Sequence, residues 1–130
     1  MTESGPKTSC LIVEDQALIG MALEAYLEDA GFVPGLVSSG AQALSWLDRA
    51  TPDCVILDFQ LKDGPCTRLA AELRRRGVPF IVYSGHHRHY DVAELRDIPW
   101  IEKPAARDEL LDAVRRAASG LSRIERLEHL

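Results

Sequence analysis

Short, continuously apolar runs alternate along this chain with longer amphipathic stretches. The runs occupy residues 10–13, 33–37, 54–57, 80–83 and 100–101. The first, third and fourth are unbroken and rich in β-branched residues, the pattern of strands buried on both faces of a parallel sheet. Between the runs, the pattern predicts helices at roughly 16–30, 40–50, 66–76, 91–96 and 105–118. Ser38 and Ser39 precede the second as N-cap candidates, and the first stops before Gly31. Strand alternating with helix in this way predicts an α/β fold with right-handed crossovers.

Pro34 falls inside the second run. Proline is tolerated in a sheet mainly on an edge strand, because it has no N–H to give to a ladder. A doubly wound sheet of five parallel strands in the order 2-1-3-4-5 puts the second strand at the edge and satisfies this constraint. No internal repeat or low-complexity tract interrupts the pattern. After Gly120 the chain resumes with Leu121, Ile124, Leu127 and Leu130. The organisation expected is a flexible N-terminus at 1–7, one domain at 8–118 and a C-terminal extension at 119–130.

Composition narrows the function classes. The 130 residues are 46% hydrophobic and 27% charged, with a formal net charge of −5, as in an ordinary globular domain. Arg74, Arg75 and Arg76 form the one cationic cluster, at the end of a predicted helix where they suit its dipole. Sequence-independent nucleic-acid binding needs a basic face, so direct contact with nucleic acid is not expected. The three cysteines, Cys10, Cys54 and Cys66, show no framework spacing, which points to a reducing compartment. Neither a signal-peptide core nor a run long enough to span a membrane is present. The expected location is the cytoplasm, without membrane attachment.

Polar residues stand just past the carboxyl ends of four runs: Glu14 and Asp15, Asp58, Ser84, and Lys103. Ligands of open parallel sheets bind beyond that edge, at the switch point between the first and third strands. Taken singly, each residue has a plain explanation, because Asp or Ser after a strand often caps the next helix and a lone Lys is usually a solvated charge. Their joint placement is harder to dismiss. Two unit charges ~4 Å apart repel by about 4 kcal/mol at an effective dielectric near 20. Three carboxylates in one pocket therefore require either a proton on one of them or a cation among them. Mg²⁺ fits, since it favours one or two carboxylates together with water and phosphate oxygens. The pocket is then suited to a phosphoryl group, with Asp58 as nucleophile, Ser84 as hydrogen-bond donor, and the metal and Lys103 offsetting charge.

The motifs L-I-V-E-D at 11–15, V-I-L-D at 55–58, Y-S-G at 83–85 and E-K-P at 102–104 resemble those of the receiver domain of two-component response regulators. The resemblance covers about residues 8–118 and implies a flavodoxin-like receiver fold. It further implies that Asp58 accepts phosphate from a histidine kinase or histidine phosphotransfer protein. Asp15 and Asp58 would bind Mg²⁺ directly, Gln60 through its backbone carbonyl and Glu14 through water. Ser84 and Lys103 would contact the phosphoryl oxygens, and the Lys103–Pro104 peptide would be cis. Trp100 stands where the family carries a switching Tyr or Phe, so Ser84 and Trp100 would form the switch. Gln60 and His86 occupy positions that modulate phosphoryl lifetime. The signal would pass by contact with a downstream protein or a second copy of the chain, through the fourth helix, fifth strand and fifth helix.

The chain departs from the family in three places. Leu61 is followed by Lys62 rather than proline, and the glycine expected eight residues past Asp58 is replaced by Cys66, with Gly64 coming earlier. The interval between Ser84 and Lys103 is a few residues short, which predicts a shortened fourth helix. Trp100 is larger than the usual aromatic. His86, His87 and His89 are too close together for a regular structural zinc site and have no cysteine partners nearby, so they are read as a surface loop. The favoured function is a single-domain phosphoacceptor, not a turnover enzyme. The alternatives are a receiver fragment of a hybrid kinase or multidomain regulator, and an aspartyl-phosphate hydrolase, for which 130 residues leave no room for a substrate cap.

Overall fold

A computed structural model describes residues 7–85 and 93–120. The chain runs β1 (Ser9–Val13), α1 (Ala17–Asp29), β2 (Val33–Val37), α2 (Gly40–Leu47) and β3 (Cys54–Leu57). It continues with β4 (Gln60–Leu61), β5 (Gly64–Pro65), α3 (Thr67–Arg76), β6 (Phe80–Ser84), a 3-10 turn (Ala93–Leu95), β7 (Trp100–Glu102) and α4 (Arg107–Ser119). Five strands form one parallel sheet in the order β2-β1-β3-β6-β7. With the two-residue strands β4 and β5 set aside, this is the predicted order 2-1-3-4-5. Among the described residues β2 pairs only with β1, so Pro34 lies on an edge strand.

Strand side chains alternate between faces, and each face buries its own layer. Leu11, Val13, Val55, Leu57 and Val82 pack with Leu47, Leu69 and Leu73 on the α2–α3 side. Cys10, Ile12, Cys54, Ile56 and Ile81 pack with Leu23, Leu27, Leu110 and Val114 on the α1–α4 side. The two-sided burial explains why the central strands read as unbroken apolar runs. All three cysteines are free and buried, and Cys10 faces Cys54 across adjacent strands.

Local chemistry sets the helix ends. Ser39 caps α2, its hydroxyl accepting from the Gln42 N–H at 3.1 Å, while the Gln42 side-chain oxygen accepts from the Ser38 N–H at 2.7 Å. This is a near relative of the reciprocal capping box. α3 stops at Gly77, whose φ of 72° is a left-handed conformation open to glycine at little cost. The arginines ending α3 are engaged within the protein. Arg75 and Arg76 donate to Glu72, Arg76 also reaches Asp48, and Arg74 donates to the Arg96 carbonyl.

Two elements differ from the pattern's expectation. The segment after Asp58 contains an antiparallel ribbon, β4–β5, pairing Gln60 with Pro65 and Leu61 with Gly64. Gly64 makes its turn possible at a φ of 121°. The described part of the predicted fourth helix is a single 3-10 turn. Its Arg96 and Ile98 N–H groups reach back only three residues, and Asp97 is left-handed at φ 68°. Pro99 follows at once, which disfavours helical backbone at Ile98. The rest of the predicted helix, the histidine-rich segment and His86 itself lie outside the described residues. So do 1–6 of the expected N-terminal segment and 121–130 of the expected extension. No helix among the described residues is long and apolar enough to cross a membrane.

Candidate functional site

The strand ladder continues past the ends of the strands and places the polar residues. The Glu14 N–H donates to the Val37 carbonyl at 3.0 Å, the Asp58 N–H to Val13 at 3.1 Å, and the Lys103 N–H to Ser84 at 2.9 Å. The sheet therefore still fixes the backbone at these positions while their side chains leave its carboxyl edge. Glu14, Asp58 and Ser84 are buried, and Asp15 and Lys103 are half-buried. The Lys103–Pro104 peptide is cis.

One oxygen from each of Glu14, Asp15 and Asp58 lies within 4.8 Å of the others. The Lys103 ammonium donates to Glu14 Oε1 at 2.8 Å and stands 3.5 Å from Asp58 Oδ2. The other Glu14 oxygen accepts from the Gln16 N–H at 3.1 Å. Burial, and next the charge of Glu14, push the Asp58 carboxyl from its ordinary 3.8 up to about 6, against the pull of Lys103 and the Gln60 N–H. Burial works against the charge on Lys103, but its hydrogen bond to Glu14 and the charges of Asp58 and Glu14 outweigh that and raise it. Three carboxylates thus meet one ammonium, and Asp58 holds a proton more tightly than a free carboxyl. An all-oxygen donor set with charge left over suits a hard divalent cation.

Further contacts complete the surroundings. The Tyr83 hydroxyl accepts from the Ala105 N–H at 3.4 Å, and the Lys103 ammonium sits 5.5 Å from the centre of its ring. Tyr83 therefore braces both sides of the Lys103–Pro104 step. Phe59, next to Asp58, lies against Trp100 with ring centres 5.4 Å apart. The Asp63 carboxylate in the ribbon turn accepts from the N–H groups of Gly40 and Ala41, both at 3.1 Å. The motifs do not include Asp63, and its partners lie 22 and 23 residues away in the sequence. Two cavities, of about 220 and 150 Å³, have none of the three clustered carboxylates in their walls.

Residues 10–115 match the response regulator receiver domain family. The sensory transduction protein RegX3 of Mycobacterium tuberculosis is 34% identical over 112 residues, covering 83% of this chain and 49% of its own length. The chain thus spans about half the length of that curated relative. A sensor protein from Polaromonas sp. JS666 superposes with a TM-score of 0.80 at 30% identity, over 88% of this chain and 98% of that one. The receiver domain of a sensor histidine kinase from Pseudomonas aeruginosa PAO1 superposes at 0.77 with 25% identity, over 88% and 99% of the two chains. That receiver domain carries a magnesium ion coordinated in its active site cleft.

Proposed function

We infer, from the premise that this chain belongs to the response regulator receiver domain family, that it accepts a phosphoryl group onto Asp58 and signals by protein contact. The observation that carries this reading is the meeting of Asp58 with Glu14, Asp15 and Lys103 at the carboxyl edge of the sheet. Glu14, Asp15, Asp58 and the Gln60 carbonyl would hold Mg²⁺. Bound there, the ion would supply positive charge to the oxygens of the transferring phosphoryl group.

The rest of the chemistry belongs to the chain's own residues. An Asp58 carboxylate oxygen attacks phosphorus and forms a P–O bond as the P–N bond to a donor phosphohistidine breaks. The imidazole leaves with the electron pair and takes up a proton. Lys103 offsets charge on the phosphoryl oxygens, and Ser84 donates a hydrogen bond to one of them. Ser84 and Trp100 then relay the change, and Gln60 and His86 tune its lifetime. The donor is a histidine kinase or histidine phosphotransfer protein. Leu18 and Met21, 82% and 58% exposed on the opening turns of α1 just after Asp15, offer it an apolar contact beside the site.

The role is that of an acceptor in the cytoplasm, read by a downstream protein or a second copy. The 49% coverage of RegX3 favours a second reading, in which this receiver regulates an attached output or kinase segment. Incubation with Mg²⁺ and acetyl phosphate tests both readings. Mass spectrometry should show one added phosphoryl group that Asp58→Asn removes. An Asp58→Asn protein that labels as well as the parent overturns the assignment.

A further inference from the structure

The ribbon β4–β5 is tied down at both ends. At its base the Phe59 carbonyl accepts from the Cys66 N–H at 2.9 Å. In an antiparallel ladder the next pair, Gln60 with Pro65, is then the one whose backbone groups face away from the partner strand. The Gln60 N–H accordingly turns to the Asp58 carboxylate, and the Gln60 carbonyl shares that outward edge. At the tip, Asp63 is the anchor. Its two oxygens separately accept the Gly40 and Ala41 N–H groups at the start of α2. Those bonds hold its carboxyl below the usual range, so it remains a charged acceptor at neutral pH. Helix N-termini favour such an anion.

We propose that Asp63 is a positioning residue for the metal site: by pinning the ribbon to the start of α2, it holds the Gln60 carbonyl in place beside Asp58. This deepens the functional reading above and rests on it. The ribbon has only two paired positions on each strand, and so short a hairpin is not stable alone. Without the bridge to α2, its tip is free to shift and the carbonyl with it. α2 itself keeps a second cap in Ser39. The two caps therefore separate the stability of the helix from the placement of the ribbon.

The test compares the parent with Asp63→Ala, Asp63→Asn and Ser39→Ala. Mg²⁺ affinity is measured by calorimetry, phosphorylation rate by acetyl phosphate at rising Mg²⁺, and stability by urea. Asp63→Ala should weaken Mg²⁺ binding about tenfold, as loss of an outer support does at metal sites, while the rate at saturating Mg²⁺ stays near that of the parent. Asp63→Asn should recover only part of the affinity, because its single amide oxygen can accept one of the two N–H groups while its NH2 cannot accept the other. Ser39→Ala should lose stability yet bind Mg²⁺ like the parent. Should Asp63→Ala fail to fold, Asp63→Glu, which moves the oxygens by one methylene, carries the same expectation of weakened binding. Parent-like affinity in a folded Asp63→Ala protein overturns the proposal, as does equal weakening by Ser39→Ala. A parent that binds no Mg²⁺ defeats the functional reading itself, and the positioning role with it.

Discussion

Asp58→Asn should stabilise the metal-free protein, and the gain should depend on pH. The Asp58 carboxyl is raised from 3.8 to about 6, first by burial and then by Glu14. A raised carboxyl contributes stability that is fully present below its unfolded pKa and is lost as pH rises through the folded one. A tenfold change in proton affinity corresponds to about 1.4 kcal/mol, which sets an upper bound of roughly 3 kcal/mol at neutral pH. Solvent at the open edge of the sheet screens part of this, so a gain of about 1–2 kcal/mol is expected. The neutral amide removes the buried charge and keeps the shape. Urea unfolding of parent and variant in chelator, at about pH 4 and about pH 8, isolates this contribution as a difference. The variant should be more stable at the higher pH and nearly equal to the parent at the lower. Saturating Mg²⁺ should narrow or reverse the gap, since a ligand of the native state stabilises it. A difference independent of pH would refute the claim that Asp58 is held in an unfavourable charged form.

Asp15→Asn should weaken Mg²⁺ affinity by about tenfold or more, given that outer supports alone cost this much, and a titration matching the parent would remove Asp15 from the site. In a Trp46→Phe background, phosphorylation should shift the emission or iodide quenching of Trp100, and Ser84→Ala should largely abolish the shift; a constant spectrum rules the switch out. Leu73→Ala, at a fully buried position of the α2–α3 layer, should cost about 2–5 kcal/mol in urea unfolding without changing the Mg²⁺ affinity of the folded fraction.

Much of this molecule is legible in one dimension because its signals are local or periodic. Unbroken apolar runs mark strands covered on both sides, and Pro34 alone assigns the edge. Acid, hydroxyl and ammonium residues placed just past the strand ends converge once the strand order is known, as Glu14, Asp58 and Lys103 do. What stayed hidden depends on partners distant in sequence. Asp63 carries no local signal of the Gly40 and Ala41 N–H groups that meet it from another helix. Phe59 reads as an ordinary apolar residue until Trp100 lies against it. The segment 91–96 has helix-compatible residues, yet its described part is a 3-10 turn, because the left-handed Asp97 and Pro99 cut it off.

The buried thiols make this chain its own clock. A thiol reagent reaches Cys10 or Cys54 only when the centre of the sheet opens, since both are buried on adjacent strands. Their hydrogen bond, and then burial, push the Cys10 thiol up, and burial pushes Cys66 up to about 12. Neither ionises appreciably before it is exposed. Cys66 sits where the ribbon meets α3, outside the sheet, and a local opening of that loop is expected to expose it first. Labelling rates resolved by peptide mass thus separate two motions in one sample, the loosening of the loop around Asp58 and the unravelling of the whole domain. A phosphoryl group or metal that clamps the loop slows the first count long before it touches the second.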